Sequence, residues 1–291
     1  MGFVSRFRLR IFLRNLGNFA TLFVGIAFAS LLLLFGLAIL PTMTHYADNL
    51  ETSLVAEHQY TLKAPCNNTA DSCELARHAE SLGVDAIAAI PPIYFHLPLY
   101  AIADYWNALS AAAPNTDFII YNIPQLAGVA LSTQLLQEMA KNPRVIGVKN
   151  SSMPTQDIQM FKDAGIAARG EGGFVVFNGP DEQFVSGRVI GADGGIGGTY
   201  AVMPELFLKM NELIEKGDIP AAREIQYKAD RIIYKMCEAH GNLYAVMKEI
   251  LRRMYGLELG GVRAPLPGLI PEDEPIVAEA QKMIEDAVTA L

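Results

Sequence analysis

The sequence predicts an α/β protein: an incomplete TIM (β/α)8 barrel with extra C-terminal helices, preceded by a transmembrane helix. Three observations predict it. Short runs that are apolar throughout alternate with helix-length amphipathic stretches between residues 84 and 217. No Gly-x-Gly-x-x-Gly opens any of these units. Residues 19–40 carry no charge at all.

The N-terminal piece, residues 1–64, comes first. Its stretch "FATLFVGIAFASLLLLFGLAIL" spans 22 residues. As a helix it would be about 33 Å long, enough to cross a bilayer. Arg6, Arg8, Arg10 and Arg14 precede it and Pro41 ends it. A basic flank before and acidic residues after put the N-terminus in the cytoplasm and send residues 42–291 across the membrane. A signal peptide would have a shorter apolar region and a small-residue cleavage site close behind. Residues 42–64 are a polar, mixed connector, in which "HQYTLKA" has the pattern of a strand.

From residue 65 the texture changes, and residues 65–291 read as a second domain. "NNTADSCELARHAESLG" predicts an amphipathic helix capped by Asn68 or Thr69 and stopped by Gly83. The Asn67-Asn68-Thr69 triplet also fits a glycosylation sequon, although a cap explains it more simply. Five strand–helix units come next, with strands in "VDAIAAI", "DFIIYNIP", "RVIGVKNSS", "GGFVVFNGPDE" and "ADGGIGGTYA". Runs without polar alternation belong to a parallel sheet covered on both faces. Repetition of the unit without a dinucleotide fingerprint favours the barrel. Residues 219–255 and 272–290 supply the further helices.

Composition narrows the function. Of 291 residues 51% are hydrophobic and 19% charged, so a large core is available and disorder is excluded. The net charge of −8 argues against a nucleic-acid partner. Five basic against three acidic side chains leave residues 1–65 at +2, so the remainder carries −10. Cys66, Cys73 and Cys237 are too few and scattered for a disulfide framework. The five histidines form no ligand-spaced pair, and no metal site is expected.

In such a barrel, chemistry sits at the C-terminal ends of the strands. Reading those ends gives Tyr94, Tyr121, Lys149 with Ser151 and Ser152, Asp181 with Glu182, and the glycine loop 194–198. An amine in an apolar mouth loses the hydration of its charged form and becomes available to attack a carbonyl. A neighbouring tyrosine can relay a proton. Carboxylates can accept hydrogen bonds from hydroxyls, and glycine NH groups can approach an anion closely.

Together "YNIPQLAGV", "GVKNSS", "FNGPDE" and "GADGGIGGTY" closely resemble the N-acetylneuraminate lyases, Schiff-base aldolases that share a family with the dihydrodipicolinate synthases. The resemblance covers about residues 65–291. The synthases usually carry an arginine after the tyrosine–proline motif, where "PQLAG" has none. The lyases usually carry a Gly-x-Asp-Glu, and "GPDE" supplies it. The resemblance implies that Lys149 forms the Schiff base and Tyr121 transfers the proton. Ser151, Gly179, Asp181 and Glu182 fall where the family binds the sugar chain. Gly198 falls where some members place a serine. Tyr94 aligns with a tyrosine that often reaches a neighbouring subunit, and the family is usually homotetrameric.

The implied reaction is reversible cleavage of N-acetylneuraminate, a sialic acid, to pyruvate and N-acetylmannosamine, with no metal and no organic cofactor. A family member begins with three strand–helix units, and only the third helix is recognisable here. Strands four to eight are therefore expected, with the first strands missing. Residues 1–64 instead resemble a membrane segment of an ABC-exporter permease. The aldolase part alone reads as cytoplasmic, and the whole chain as single-pass membrane-anchored. An inactive membrane-anchored fragment and a dihydrodipicolinate synthase-like enzyme stay open as alternatives.

Overall fold

The chain divides after Lys63 into two units, and the computed structural model describes residues 68–291, all in the second. The apolar run 19–40, the connector and the permease-like stretch lie outside the described residues. Among the described residues, no helix is long and apolar enough to cross a membrane.

Helix α1 (Thr69–Ser81) opens the fold. Asn68 is its cap: its side-chain oxygen accepts from the Asp71 N–H at 2.9 Å and its amide donates to the Asp71 carboxylate at 2.7 Å. Gly83, with φ of +72°, takes the left-handed turn that lets the chain leave. Four strand–helix units come next in order. These are β1 (Ala86–Ala89) and α2 (Leu99–Ala112); β2 (Asp117–Asn122) with a short α3 (Pro124–Ala127) and α4 (Thr133–Met139); β3 (Val145–Asn150) and α5 (Gln156–Arg169); and β4 (Val175–Asn178) and α6 (Phe184–Val189). The fifth strand, β5 (Gly194–Gly195), leads to α7 (Pro204–Glu215). Then come α8 (Ile219–Met236), α9 (Leu243–Tyr255) and α10 (Glu274–Thr289). The strands predicted from the apolar runs are thus all present, and every pairing is parallel in the order β1-β2-β3-β4-β5.

The two faces of this sheet differ. Phe118, Ile120, Val148 and Val176 point one way and are fully buried against Trp106 of α2, Leu135 of α4 and Phe161 of α5. Each such side chain contributes about 1.5–3 kcal/mol of burial. On the opposite face Ala88 is exposed, and Ile119, Tyr121, Lys149, Val175 and Phe177 are half-buried. An extra residue, Ile146, bulges β3 so that Phe118 pairs Val145 while Ile119 pairs Gly147. The bulge sets the phase in which Tyr121 and Lys149 share the open face.

A second core joins the C-terminal helices. Phe184 of α6, Leu206 and Met210 of α7, Ile232 of α8, Ile250 of α9 and Ile284 of α10 pack together. This layer stands beside β4 and β5, and its helices reach the loops at their C-terminal ends.

Candidate active site

The site is assembled by three adjacent strand ends. Tyr121 of β2, Lys149 of β3 and Phe177 of β4 are direct neighbours in register. The Lys149 ammonium lies 4.1 Å from the centre of the Tyr121 ring. One residue further on, Asn122, Asn150 and Asn178 are also in register, but they point to the opposite, buried face. The Asn122 amide donates to the Asn150 side-chain oxygen at 2.7 Å, and the Leu131 N–H donates to the Asn122 side-chain oxygen at 2.9 Å. The Asn178 amide donates to the Pro180 carbonyl at 2.7 Å. These asparagines tie each strand end to the loop that leaves it.

The ladder continues past the strands. The Ser151 N–H donates to the Asn122 carbonyl, and the Gly179 N–H to the Asn150 carbonyl, each at 2.7 Å. A β-carbon on Gly179 would collide with the Ser151 hydroxyl and crowd the Asn150 carbonyl, so glycine is required for the two loops to approach this closely.

Asp181 begins a short 3-10 turn, Asp181–Gln183, and is buried. One carboxylate oxygen accepts from the Thr199 N–H at 2.8 Å and from its hydroxyl at 2.6 Å. The other lies against Gly197, where a β-carbon would collide with it. Asp181 therefore bolts the loop after β4 to the loop after β5. Its backbone carbonyl is held in turn by Gln226 of α8 at 3.0 Å. The same amide donates to Asp230 at 2.8 Å and accepts from the Val185 N–H at 3.0 Å, so this buried side chain is fully used. Glu182 is exposed beside this clamp. Burial holds the Asp230 carboxyl above the usual carboxylate range, and the Glu182 charge adds to it, against the Gln226 amide and Arg231. Burial likewise raises the Cys237 thiol, with Glu182 contributing. The Tyr200 hydroxyl is raised too, by burial first and by Asp181 second.

Lys149, Tyr121, Ser151, Gly179 and Asp181 thus meet at contiguous strand ends, and Gly198 adjoins them through Thr199. Tyr94 does not join them. It lies in the loop after β1, which ends at Ala89, and it is 81% exposed, with its ring edge-on to Phe95 at 4.8 Å. The expectation that Tyr94 stands at a strand end is corrected accordingly. A groove of about 530 Å3 follows β1 and reaches Tyr121 but not Lys149. The ladder asparagines, Thr199 and Gln226 escaped the sequence reading. The first had a signal: three strands end in "YN", "KN" and "FN". No group of three or more potential metal ligands occurs among the described residues.

A sequence profile of the dihydrodipicolinate synthetase family matches residues 61–286. The chain belongs to that family. Residues 1–60, most of the permease-like stretch, fall outside the match. The family works through a lysine Schiff base with the substrate and uses no cofactor, as the sequence led us to expect. Among its relatives, the N-acetylneuraminate lyase of Mediterraneibacter gnavus is 68% identical over 235 residues, 80% of this chain and 73% of that protein. The solved sialic acid aldolase of Ruminococcus gnavus superposes with a TM-score of 0.75 at 68% identity, covering 78% of this chain and 73% of that one. A second structure of that aldolase is of its catalytic lysine mutant. The CdNal structure from Clostridium difficile, in complex with mannosamine, gives a TM-score of 0.68 at 27% identity, covering 76% and 72%. The chain is an aldolase of the N-acetylneuraminate lyase-like kind, and its parallel sheet is that of its TIM-barrel neighbours.

Proposed function

We propose that residues 65–291 cleave N-acetylneuraminate reversibly to pyruvate and N-acetylmannosamine. The observation that carries this is the pairing of Lys149 with Tyr121 at adjacent strand ends, the ammonium 4.1 Å from the ring. In the reading, the Lys149 amine attacks the oxo carbon of the open-chain sugar acid and water leaves, giving an iminium. Tyr121 gives its hydroxyl proton to that departing water and, as the phenolate, takes the proton of the hydroxyl two carbons from the oxo carbon. The bond between that hydroxyl-bearing carbon and the carbon beside the iminium breaks, and its electron pair moves into the enamine as the iminium is neutralised. N-acetylmannosamine departs as the aldehyde. The enamine then takes a proton at carbon, and water releases pyruvate and the free amine.

Ser151, Gly179, Asp181, Glu182 and Gly198 line the path of the sugar chain in this reading. Absence of an arginine after Pro124 favours a sugar over a substrate with a second carboxylate. Tyr94 and Phe95, both strongly exposed, suit contact with a second subunit.

Borohydride reduction of the full chain with pyruvate tests the reading. A reduced pyruvyl adduct located by mass on Lys149, and lost in Lys149→Met, is expected. A folded protein that traps none overturns it. Assay with N-acetylneuraminate, against aspartate semialdehyde plus pyruvate, then separates lyase from synthase chemistry.

A further inference from the structure

Gly198 raises a question that its backbone does not answer. Its φ of −73° and ψ of −46° are right-handed helical values open to any residue. Space does not demand glycine either. A β-carbon there would lie 3.5 Å from both Cε1 and the hydroxyl of Tyr244, and 3.9 Å from Cζ, all ordinary contacts. What stands against the open side of Gly198 is therefore the hydroxyl-bearing edge of a phenol. Tyr244 is 51% exposed, and its hydroxyl has no hydrogen-bond partner among the described residues.

The helix start that carries this ring is held in place by its backbone. Tyr244 is in the first turn of α9, where the Asn242 side chain accepts from its N–H at 3.0 Å. The Asn242 N–H donates to the Pro267 carbonyl at 2.9 Å. The His240 and Gly241 N–H groups donate to the Asp273 carboxylate at 2.7 and 3.1 Å. A rigid helix start thus presents an unoccupied phenol beside the loop after β5, whose Thr199 locks Asp181.

We propose that Tyr244 determines specificity by hydrogen-bonding the far hydroxyls of the substrate, in the place a side chain at residue 198 would otherwise take. The inference rests on the lyase reading of the same site. From Lys149 on β3 to the loop after β5 is two strand spacings, about 10 Å. The linear form of a sialic acid, held through its oxo carbon, reaches that far; pyruvate does not.

The test compares the full chain with Tyr244→Phe and with Tyr244→Phe/Gly198→Ser. In Tyr244→Phe, KM for N-acetylneuraminate and Kd for N-acetylmannosamine are expected to rise about 5–10-fold, the loss of one neutral hydrogen bond. kcat should change less than about twofold, and borohydride trapping of pyruvate should be unaffected. The serine of the double variant should recover most of the affinity. Unchanged KM and Kd in Tyr244→Phe overturn the proposal, and so does an equal slowing of pyruvate trapping, which marks general damage. Weakened N-acetylmannosamine binding in Tyr244→Phe alongside no pyruvate adduct in the parent would sink the lyase reading and leave the Tyr244 contact standing.

Discussion

Two neighbouring residues at each strand end meet opposite fates. Asn122, Asn150 and Asn178 are at most 3% exposed, and each anchors a loop by hydrogen bonds. Tyr121, Lys149 and Phe177 precede them by one position, face the other way and are half-buried. Since successive strand side chains alternate, a single dipeptide can serve both purposes. The buried member fixes where the loop leaves the sheet. The open member then finds its partners already in register. The comparison teaches that the precision of the Tyr121–Lys149 pair is maintained from the reverse side of the sheet, by buried residues that face away from it.

The largest effect should come from the open face. Tyr121→Phe removes the hydroxyl to which we assign the proton transfer but keeps the ring beneath the Lys149 ammonium. We expect kcat for N-acetylneuraminate cleavage to fall about 10²–10³-fold, with Tm unchanged. Loss of less than about fivefold would remove Tyr121 from the proton path. Asn150→Leu should do the reverse. It takes away the acceptor of the Asn122 amide and of the Ser152 N–H, leaving two buried donors unpaired. At about 1–3 kcal/mol for each orphan, a loss near 3 kcal/mol is expected. Thermal unfolding should then shift by about 6–12 °C. A variant that instead lost activity at full stability would break the division between the two faces.

Much of this was legible in the sequence, for reasons that differ by residue. The strands were visible because both faces of a parallel sheet select apolar residues, as in "FII" of β2 and "VV" of β4. Lys149 stood out because an ammonium interrupts such a run at its end. The cap of α1 was narrowed to Asn68 or Thr69, and only geometry separates them, since either side chain can accept an N–H. Gln226 and Tyr244 could not be read at all. They lie 45 and 46 residues beyond the backbone groups they address, Asp181 and Gly198, and no local pattern encodes a contact made by packing of α8 and α9. Tyr94 falls in the loop beyond β1 because the two prolines of "IPPIYF" cannot donate to a ladder, and the strand ends at Ala89.

The smallest effect, and the sharpest control, concerns a carboxylate on neither face. Asp273 is buried and accepts from the N–H groups of Ile270 at 3.0 Å, His240 at 2.7 Å and Gly241 at 3.1 Å. These bonds, that from Ile270 foremost, hold its carboxyl below the usual carboxylate range. A depressed folded value contributes stability that is fully present above the unfolded value of about 3.9 and is lost as pH falls through the folded one. Asp273→Asn should therefore melt a few degrees lower than the parent near neutral pH, by less than Asn150→Leu. The gap should stay constant down to about pH 5 and then close in more acid solution. Pyruvate trapping at Lys149 should be untouched, because Asp273 fastens the start of α9 and no strand end. A melting difference that held steady down to about pH 2 would mean that the charge on Asp273 contributes nothing, and that shape alone seats the helix carrying Tyr244.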